Sequence, residues 1–117
     1  MCRRKLDNIG FGRECRLKSD IVIREVARLG KRFSGQFLNI KSRIYDDTLR
    51  QFCIRTPRSS GNAVQRNRIK RIIRETLRLN MDKFKPGTRA VIWINAIPSV
   101  DPVSGIAGDI LRFLDHA

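Results

Sequence analysis

The chain has little with which to catalyse a reaction by itself, since its 117 residues include one histidine and 11 acidic residues. Hydrolysis of a phosphodiester by a protein requires histidines as acid and base, or a carboxylate cluster that holds a divalent metal ion. His116 stands next to the C-terminus, and the adjacent acidic pair, Asp46-Asp47, lies in a stretch that is typical of a turn. The sequence therefore predicts no catalytic residue and no metal site.

Cysteines and long hydrophobic runs are also scarce. Cys2, Cys15 and Cys53 are odd in number and have neither the spacing of metal ligands nor that of a disulfide framework, so we expect reduced thiols. No apolar run approaches the roughly 18 residues of a membrane span. The basic N-terminus is not followed by the apolar run of a signal peptide. These absences favour a cytoplasmic protein without a membrane partner.

Basic residues outnumber acidic ones, and this imbalance is the main feature of the composition. Lys and Arg total 25 against 11 Asp and Glu, which gives a formal net charge of +14. Such an excess favours a polyanionic partner: RNA, DNA or an anionic membrane surface. Because 41% of the residues are hydrophobic, the chain is not a disordered basic tail. We predict a basic N-terminal arm at residues 1–17 and one folded domain at residues 18–117.

Hydrophobic periodicity predicts an α+β fold. The expected helices cover residues 20–29, 63–80 and the stretch that Asp101-Pro102 opens, and the expected strands cover residues 36–44, 49–56 and 89–95. We expect Asn62 to cap the second helix and Gly30 to end the first in a left-handed conformation. The last strand is almost continuously hydrophobic, which favours burial on both faces and a core position for Trp93.

The second predicted helix has an aliphatic side and a cationic side. At about 100° per residue, Ile69, Ile73 and Leu77 point in one direction. The opposite side holds basic residues and Asn67, and only Glu75 interrupts its positive charge. Neighbouring like charges on a helix repel one another, and the phosphates of a bound polyanion relieve that repulsion. A merely solvated basic surface is the alternative interpretation.

The same stretch resembles a known family. Residues Gly61–Glu75, which contain Arg66-Asn67-Arg68, resemble the Arg-Asn-Arg signature of the protein subunit of bacterial ribonuclease P. Weaker similarities follow the family's order, with Arg16-Leu17-Lys18 ahead of the first helix and Pro86-Gly87 ahead of the last strand. The resemblance covers nearly the whole chain, and its specificity is highest in residues 61–75.

The resemblance implies a mostly antiparallel sheet of about four strands packed by three helices. It also implies a subunit of a ribonucleoprotein endonuclease that removes the 5′ leader of precursor tRNA. In that family a catalytic RNA subunit performs the hydrolysis with Mg²⁺, which the RNA mainly binds. By their position in the signature, the residues expected to bind the RNA subunit are Arg66, Asn67, Arg68, Lys70, Arg71 and Arg74.

The family also implies a leader-binding cleft between the first helix and the sheet, often lined by aromatic side chains. Here Ile23, Ala27 and Ile40 stand where relatives often have aromatics. Phe37 is the nearest aromatic candidate. The residues expected to bind the leader are Ile23, Ala27, Phe37, Lys41, Arg43 and Arg55. The alternative is that Ile23, Ala27 and Phe37 belong to the core.

Two other functions are compatible with a basic α+β domain. A ribosomal protein or an RNA chaperone has similar charge without a role in cleavage. A DNA-binding protein could place the basic helix in a major groove. No recognition-type helix closely precedes that helix and no dimerisation heptad follows it, so we expect no DNA partner.

Overall fold

A computed structural model describes residues 15–57, 61–95 and 102–116, which form one sheet and three α-helices. In chain order the elements are α1 (Asp20–Leu29), β1 (Lys31–Ser34), β2 (Leu38–Ile44), β3 (Gln51–Arg55), α2 (Ala63–Leu79), β4 (Thr88–Ile94) and α3 (Pro102–His116). A short 3-10 helix, Met81–Lys83, follows α2. Most of the predicted N-terminal arm, and the cap predicted at Asp101, lie outside the described residues.

The four strands are arranged in the order β1-β2-β4-β3. β2 pairs antiparallel with both β1 and β4, whereas β3 pairs parallel with β4. Parallel neighbours require a crossover connection, and α2 lies in the segment between β3 and β4. The predicted α+β class, with a small and mostly antiparallel sheet packed by three helices, is confirmed.

Each face of the sheet is covered by helices and has its own hydrophobic cluster. α2 and α3 pack on one face, around a large cluster that includes Ile40 and Ile92. α1 packs on the other face, which we call the α1 face. The smaller cluster there consists of Leu17, Ile23, Val26 and Val91. Leu17 is 5% exposed and its N–H donates to the carbonyl of Phe52, so the folded domain includes residues before 18.

The residues at the helix ends explain where α1 and α2 begin and end. Ser19 caps α1 with its hydroxyl, and Asn62 caps α2 in a reciprocal capping box with Gln65. Gly30 ends α1, but the prediction of a left-handed conformation is wrong, because its φ of −71° and ψ of 158° are extended. Glycine is required at this position because the backbone of Val26 lies too close for a side chain: an added Cβ would be 2.3 Å from its carbonyl oxygen.

A buried carboxylate of α3 holds the turn between β1 and β2. Asp109 is fully buried, and it accepts hydrogen bonds from the backbone N–H groups of Gln36, Phe37 and Leu38 at 3.1, 2.6 and 3.0 Å. It also forms an ion pair with Arg112. This turn explains why β2 begins at Leu38 rather than at Gln36. The periodicity does not predict β1, because that strand is short and largely exposed.

Candidate nucleic-acid interface

α2 has the aliphatic side and the cationic side that its sequence predicts. Ile69, Ile73 and Leu77 are at most 1% exposed and belong to the large cluster. On the other side of the helix, Asn67, Arg68 and Arg71 are exposed, and Arg66, Lys70 and Arg74 are half-buried. The structure therefore places all six predicted contacts of the RNA subunit on one helix, in a surface that we call the α2 basic surface.

The single acidic side chain of α2 is neutralised by a neighbour. Glu75 forms an ion pair with Arg78, whose Nε donates to it at 3.1 Å. This hydrogen bond lowers the pKa of the Glu75 carboxyl, so the group stays ionised and held by Arg78. No other carboxylate of α2 offsets the remaining cations.

The α2 basic surface extends toward β3 through Arg16, which the sequence does not place among the residues expected to bind RNA. Arg16 pairs with Phe52 at the edge of β3 and lies near Arg74. Burial, and then the positive charge of Arg16, lower the pKa of the Arg74 guanidinium. Neighbouring cations repel each other unless an anion compensates them. Arg16 is far from Arg74 in sequence, and only the pairing beside β3 reveals that the two are neighbours.

On the α1 face, the strand register aligns a row of polar and aromatic side chains. Asn39 of β2 lies opposite Trp93 of β4, and Trp93 lies opposite Arg55 of β3. Ser34 of β1 continues the row beside Asn39. Ser34 and Arg55 are exposed, whereas Asn39 and Trp93 are half-buried. We call these four residues the Trp93 row.

Five of the six predicted leader contacts are brought together on the α1 face. Ile23 is 8% exposed within the small cluster, and Ala27 of the same helix is half-buried. Nζ of Lys41 donates to the carbonyl of Ala27 at 2.5 Å, which joins β2 to α1. Arg55 belongs to the Trp93 row. Ile23 thus serves the core, and Ala27, Lys41 and Arg55 retain surface that a ligand can reach.

The fifth predicted leader contact, Arg43, also lies on the α1 face, where it is paired with a carboxylate, and the sixth, Phe37, does not lie there. Arg43 forms an ion pair with Glu25 at 3.0 Å and lies 5.5 Å from the centre of the Tyr45 ring. Phe37 packs against the large cluster on the opposite face, and its N–H donates to Asp109. This corrects the prediction that Phe37 lines the cleft beside α1, because the turn that Asp109 holds places the ring on the other side of the sheet.

Trp93 is partly exposed, although the hydrophobic pattern of its strand predicts a core position. Successive residues of β4 point to opposite faces, so Ile92 and Ile94 are buried under α2 and α3 while Trp93 is half-buried on the α1 face. Of the described aromatic residues, only Trp93 and Tyr45 pack on this face. The Tyr45 hydroxyl donates to Glu25, and burial, followed by that bond, raises the pKa of Tyr45. Both rings are half-buried, but Arg43 and Arg89 lie 5.5 and 5.3 Å from the centre of the Tyr45 ring, which makes Trp93 the better candidate for stacking.

The described part of the chain has neither a metal-binding cluster nor a membrane-spanning helix. Across residues 15–57, 61–95 and 102–116, no group of three or more His, Cys, Asp or Glu side chains could hold a metal ion. None of the helices in these ranges has the length and apolar composition that a bilayer crossing requires. The two surfaces instead offer cations, amides and an indole, which suit contacts with phosphates and unpaired bases.

Known proteins of similar sequence point to one family. The profile of the Ribonuclease P family matches residues 11–104. The ribonuclease P protein component of Clostridioides difficile (strain 630) is 35% identical over 92 residues, which cover 78% of this chain and 80% of that protein. The ribonuclease P protein component of Syntrophus aciditrophicus (strain SB) is 66% identical over 32 residues, 27% of either chain.

Solved structures have the same fold at low sequence identity. The RNase P protein from Thermotoga maritima gives a TM-score of 0.74 at 22% identity, over 87% of this chain and 96% of that chain. An RNase P protein from Staphylococcus aureus gives a TM-score of 0.74 at 18% identity, over 87% of this chain and 94% of that chain. With the profile match over most of the chain and the C. difficile relative, these findings show that the chain belongs to the ribonuclease P protein family.

Proposed function

We propose that this chain is the protein component of a cytoplasmic ribonuclease P, which removes the 5′ leader of precursor tRNA together with a catalytic RNA subunit. The observation that carries this proposal is the α2 basic surface. It presents the family's Arg66-Asn67-Arg68 signature on a rigid helix whose only carboxylate is already paired. Family membership supplies the identity of the RNA partner, and the surface supplies the means of binding it.

The RNA subunit docks on the α2 basic surface. Arginine forks match phosphate oxygens in a bidentate geometry, and Asn67 can both donate and accept hydrogen bonds. Each neutralised phosphate releases counterions, so the logarithm of affinity falls with the logarithm of salt concentration by roughly 0.7 to 0.9 per phosphate. The residues proposed to make these contacts are Arg66, Asn67, Arg68, Lys70, Arg71 and Arg74, with Arg16 at the edge.

The 5′ leader binds on the α1 face, along the Trp93 row. Trp93 supplies the stacking platform that Ile23 and Ala27 of α1 do not provide. Stacking tolerates any base, as a leader of variable sequence requires. Lys41 and Arg55 supply the nearby positive charge, and Arg43 contributes less because Glu25 holds it.

The chemistry of cleavage resides in the RNA subunit, which holds most of the Mg²⁺. The described residues of the chain form no carboxylate cluster in which the metal would fit. The protein binds and orients the RNA subunit and the leader, and it screens their charge. Its cations lower the repulsion between two RNA molecules that must approach closely. This division of roles accounts for a chain so rich in arginine and so poor in general acids and bases.

The decisive experiment is cleavage of a precursor tRNA with a 5′ leader at low millimolar Mg²⁺, using the chain alone, the catalytic RNA alone and both together. We expect efficient cleavage only when both are present. Cleavage by the purified chain alone would contradict the assignment of the chemistry to the RNA. If the chain gives no gain at any Mg²⁺ concentration, the assignment to ribonuclease P fails, and a ribosomal or chaperone role becomes the better explanation.

A further inference from the structure

An apolar groove lies between α2 and α3, beside the α2 basic surface. Its volume is about 600 Å³, its α3 wall is aliphatic, and α2 contributes the aliphatic Ile72 and Leu79 beside polar side chains. Leu79 of α2 is 67% exposed, and Val103 and Leu111 of α3 are 53% and 42% exposed. In the structure these side chains lie outside the core, although helical spacing predicts that Val103 and Leu111 belong to the apolar face of α3. Apolar groups clustered on a concave surface are typical of a binding site.

The rim of this α2–α3 groove is cationic. Arg68 and Arg71 line it from α2, and Lys83 lines it from the 3-10 helix that follows. Glu75 is the one acidic residue of the lining, and Arg78 holds it. The groove therefore combines aliphatic walls with an edge that attracts anions.

We infer that the α2–α3 groove receives unpaired nucleotides of the catalytic RNA subunit. This inference rests on the proposed function and extends it, because Arg68 and Arg71 belong both to the groove and to the α2 basic surface. Phosphates on either side of an unpaired base can contact these guanidinium groups, and the base can then lie against the aliphatic walls. Only unpaired bases expose faces that a protein can bury, since those of a duplex are stacked.

The position of the groove favours the RNA subunit over other occupants. The leader-binding row lies on the opposite face of the sheet, so a leader bound there does not reach the groove. The N-terminal residues Arg3, Arg4 and Lys5 would bring more positive charge to a cationic rim, and a second copy of this basic chain would do the same.

Polar groups in the lining of the groove provide contacts for a base edge. The side-chain N–H of Asn80 donates to the carbonyl of Thr76 at 2.8 Å, which orients the amide. With its nitrogen so placed, the amide oxygen of Asn80 can accept a hydrogen bond from an exocyclic amino group. The groove thus binds bases mainly by apolar contact, with a small amount of selectivity at this amide.

The test is binding of the chain to the catalytic RNA without precursor tRNA, across a series of salt concentrations. The groove variant combines Val103→Thr with Leu111→Asn, both at exposed positions. Its affinity should fall about tenfold at every salt concentration, with an unchanged salt slope, because apolar contacts release no counterions. Arg71→Ala should instead reduce the slope by roughly 0.7 to 0.9. The matched control is Ile21→Asn, an exposed aliphatic side chain of α1.

Chemical modification of the RNA gives an independent measurement. The wild-type chain should protect a small number of unpaired nucleotides that the groove variant leaves reactive, and Leu79→Asn on the other wall should expose the same nucleotides. Thermal unfolding of each variant establishes that it is folded. Unchanged affinity together with an unchanged protection pattern would overturn the inference. If Arg71→Ala has no effect either, the proposed RNA docking surface fails as well, which separates the two outcomes.

Discussion

The accessible indole on the α1 face leads to a prediction that can be read directly from fluorescence. Trp93 is the only tryptophan of the chain, so intrinsic emission reports on this side chain without labelling. It is half-buried, and it lies between Asn39 and Arg55 in the strand register. If a leader base stacks on the indole, we expect emission to be quenched by precursor tRNA with a leader and little changed by mature tRNA.

Replacing Trp93 by leucine keeps an apolar side chain against the small cluster but removes the stacking surface. Stacking of one base on an aromatic side chain contributes about 1–3 kcal/mol. The affinity of the holoenzyme for a precursor with a leader should therefore fall by about 5- to 150-fold. Trp93→Phe keeps an aromatic face and should retain most of the affinity.

The assay compares precursors with leaders of one nucleotide and of several nucleotides. For the wild-type holoenzyme, the longer leader should bind more tightly, and Trp93→Leu should remove most of that difference. Binding of the catalytic RNA to the Trp93→Leu chain should be unchanged, because the α2 basic surface is across the sheet. A leader-length dependence that survives in Trp93→Leu would refute the stacking role of this residue.

Three further predictions concern the carboxylate under the β1–β2 turn, the α2 basic surface and the salt bridge at the start of β4. Asp109→Asn should lower the free energy of unfolding, measured in urea, by about 2–4 kcal/mol, because the new amide N–H group faces backbone N–H donors in a fully buried position. Arg66→Ala with Arg68→Ala should reduce the salt slope of binding to the catalytic RNA by about 1.4 to 1.8, the contribution of two phosphates. Acid should destabilise the chain in part through Asp47, whose hydrogen bond to Arg89 lowers its pKa below the unfolded value of about 3.9. This contribution is present above the unfolded pKa and is lost as the pH falls through the folded pKa, so Arg89→Gln should flatten the acid limb of the stability curve.

The first two of these predictions have a control within the chain. Asp115→Asn changes an exposed carboxylate of α3 and should leave stability nearly unchanged. Arg24→Ala with Arg28→Ala removes two exposed cations of α1 and should leave the salt slope of RNA-subunit binding nearly intact. An equal loss of slope in both double variants would mean that net charge, and not the α2 basic surface, determines affinity.

The basic helix could be predicted from sequence because its information is local. Ile69, Ile73 and Leu77 repeat at helical spacing, Asn62 supplies a cap, and both signals act within a few residues. The observed bounds of α2 differ from the predicted bounds by about one residue, and the side of the helix that is buried is the predicted one. Signals within a few residues were therefore sufficient to predict the helix that presents the candidate docking surface.

Positions that depend on tertiary contacts could not be predicted in this way. Phe37 reads as an alternating strand residue, yet a carboxylate more than 70 positions away holds its backbone in a turn, and the ring packs on the other face. Trp93 reads as core, since a uniformly hydrophobic run does not show which of its faces α1 leaves partly open. The proximity of Arg16 to Arg74 could not be predicted either, because it depends on how the N-terminal segment packs beside β3 and on how β3 lies relative to α2.

The proximity of Arg16 to Arg74 places two repelling charges together in the folded chain. Without RNA, added salt screens this repulsion and should favour the folded chain, whereas the same salt weakens RNA binding through counterion release. The two effects of salt have opposite sign, because screening weakens the repulsion between the two guanidinium groups while counterion release weakens RNA binding. A ligand that binds only the folded state stabilises it further by mass action. On the proposed function, the repulsion among these cations is relieved in the complex with the RNA subunit and remains in the chain alone.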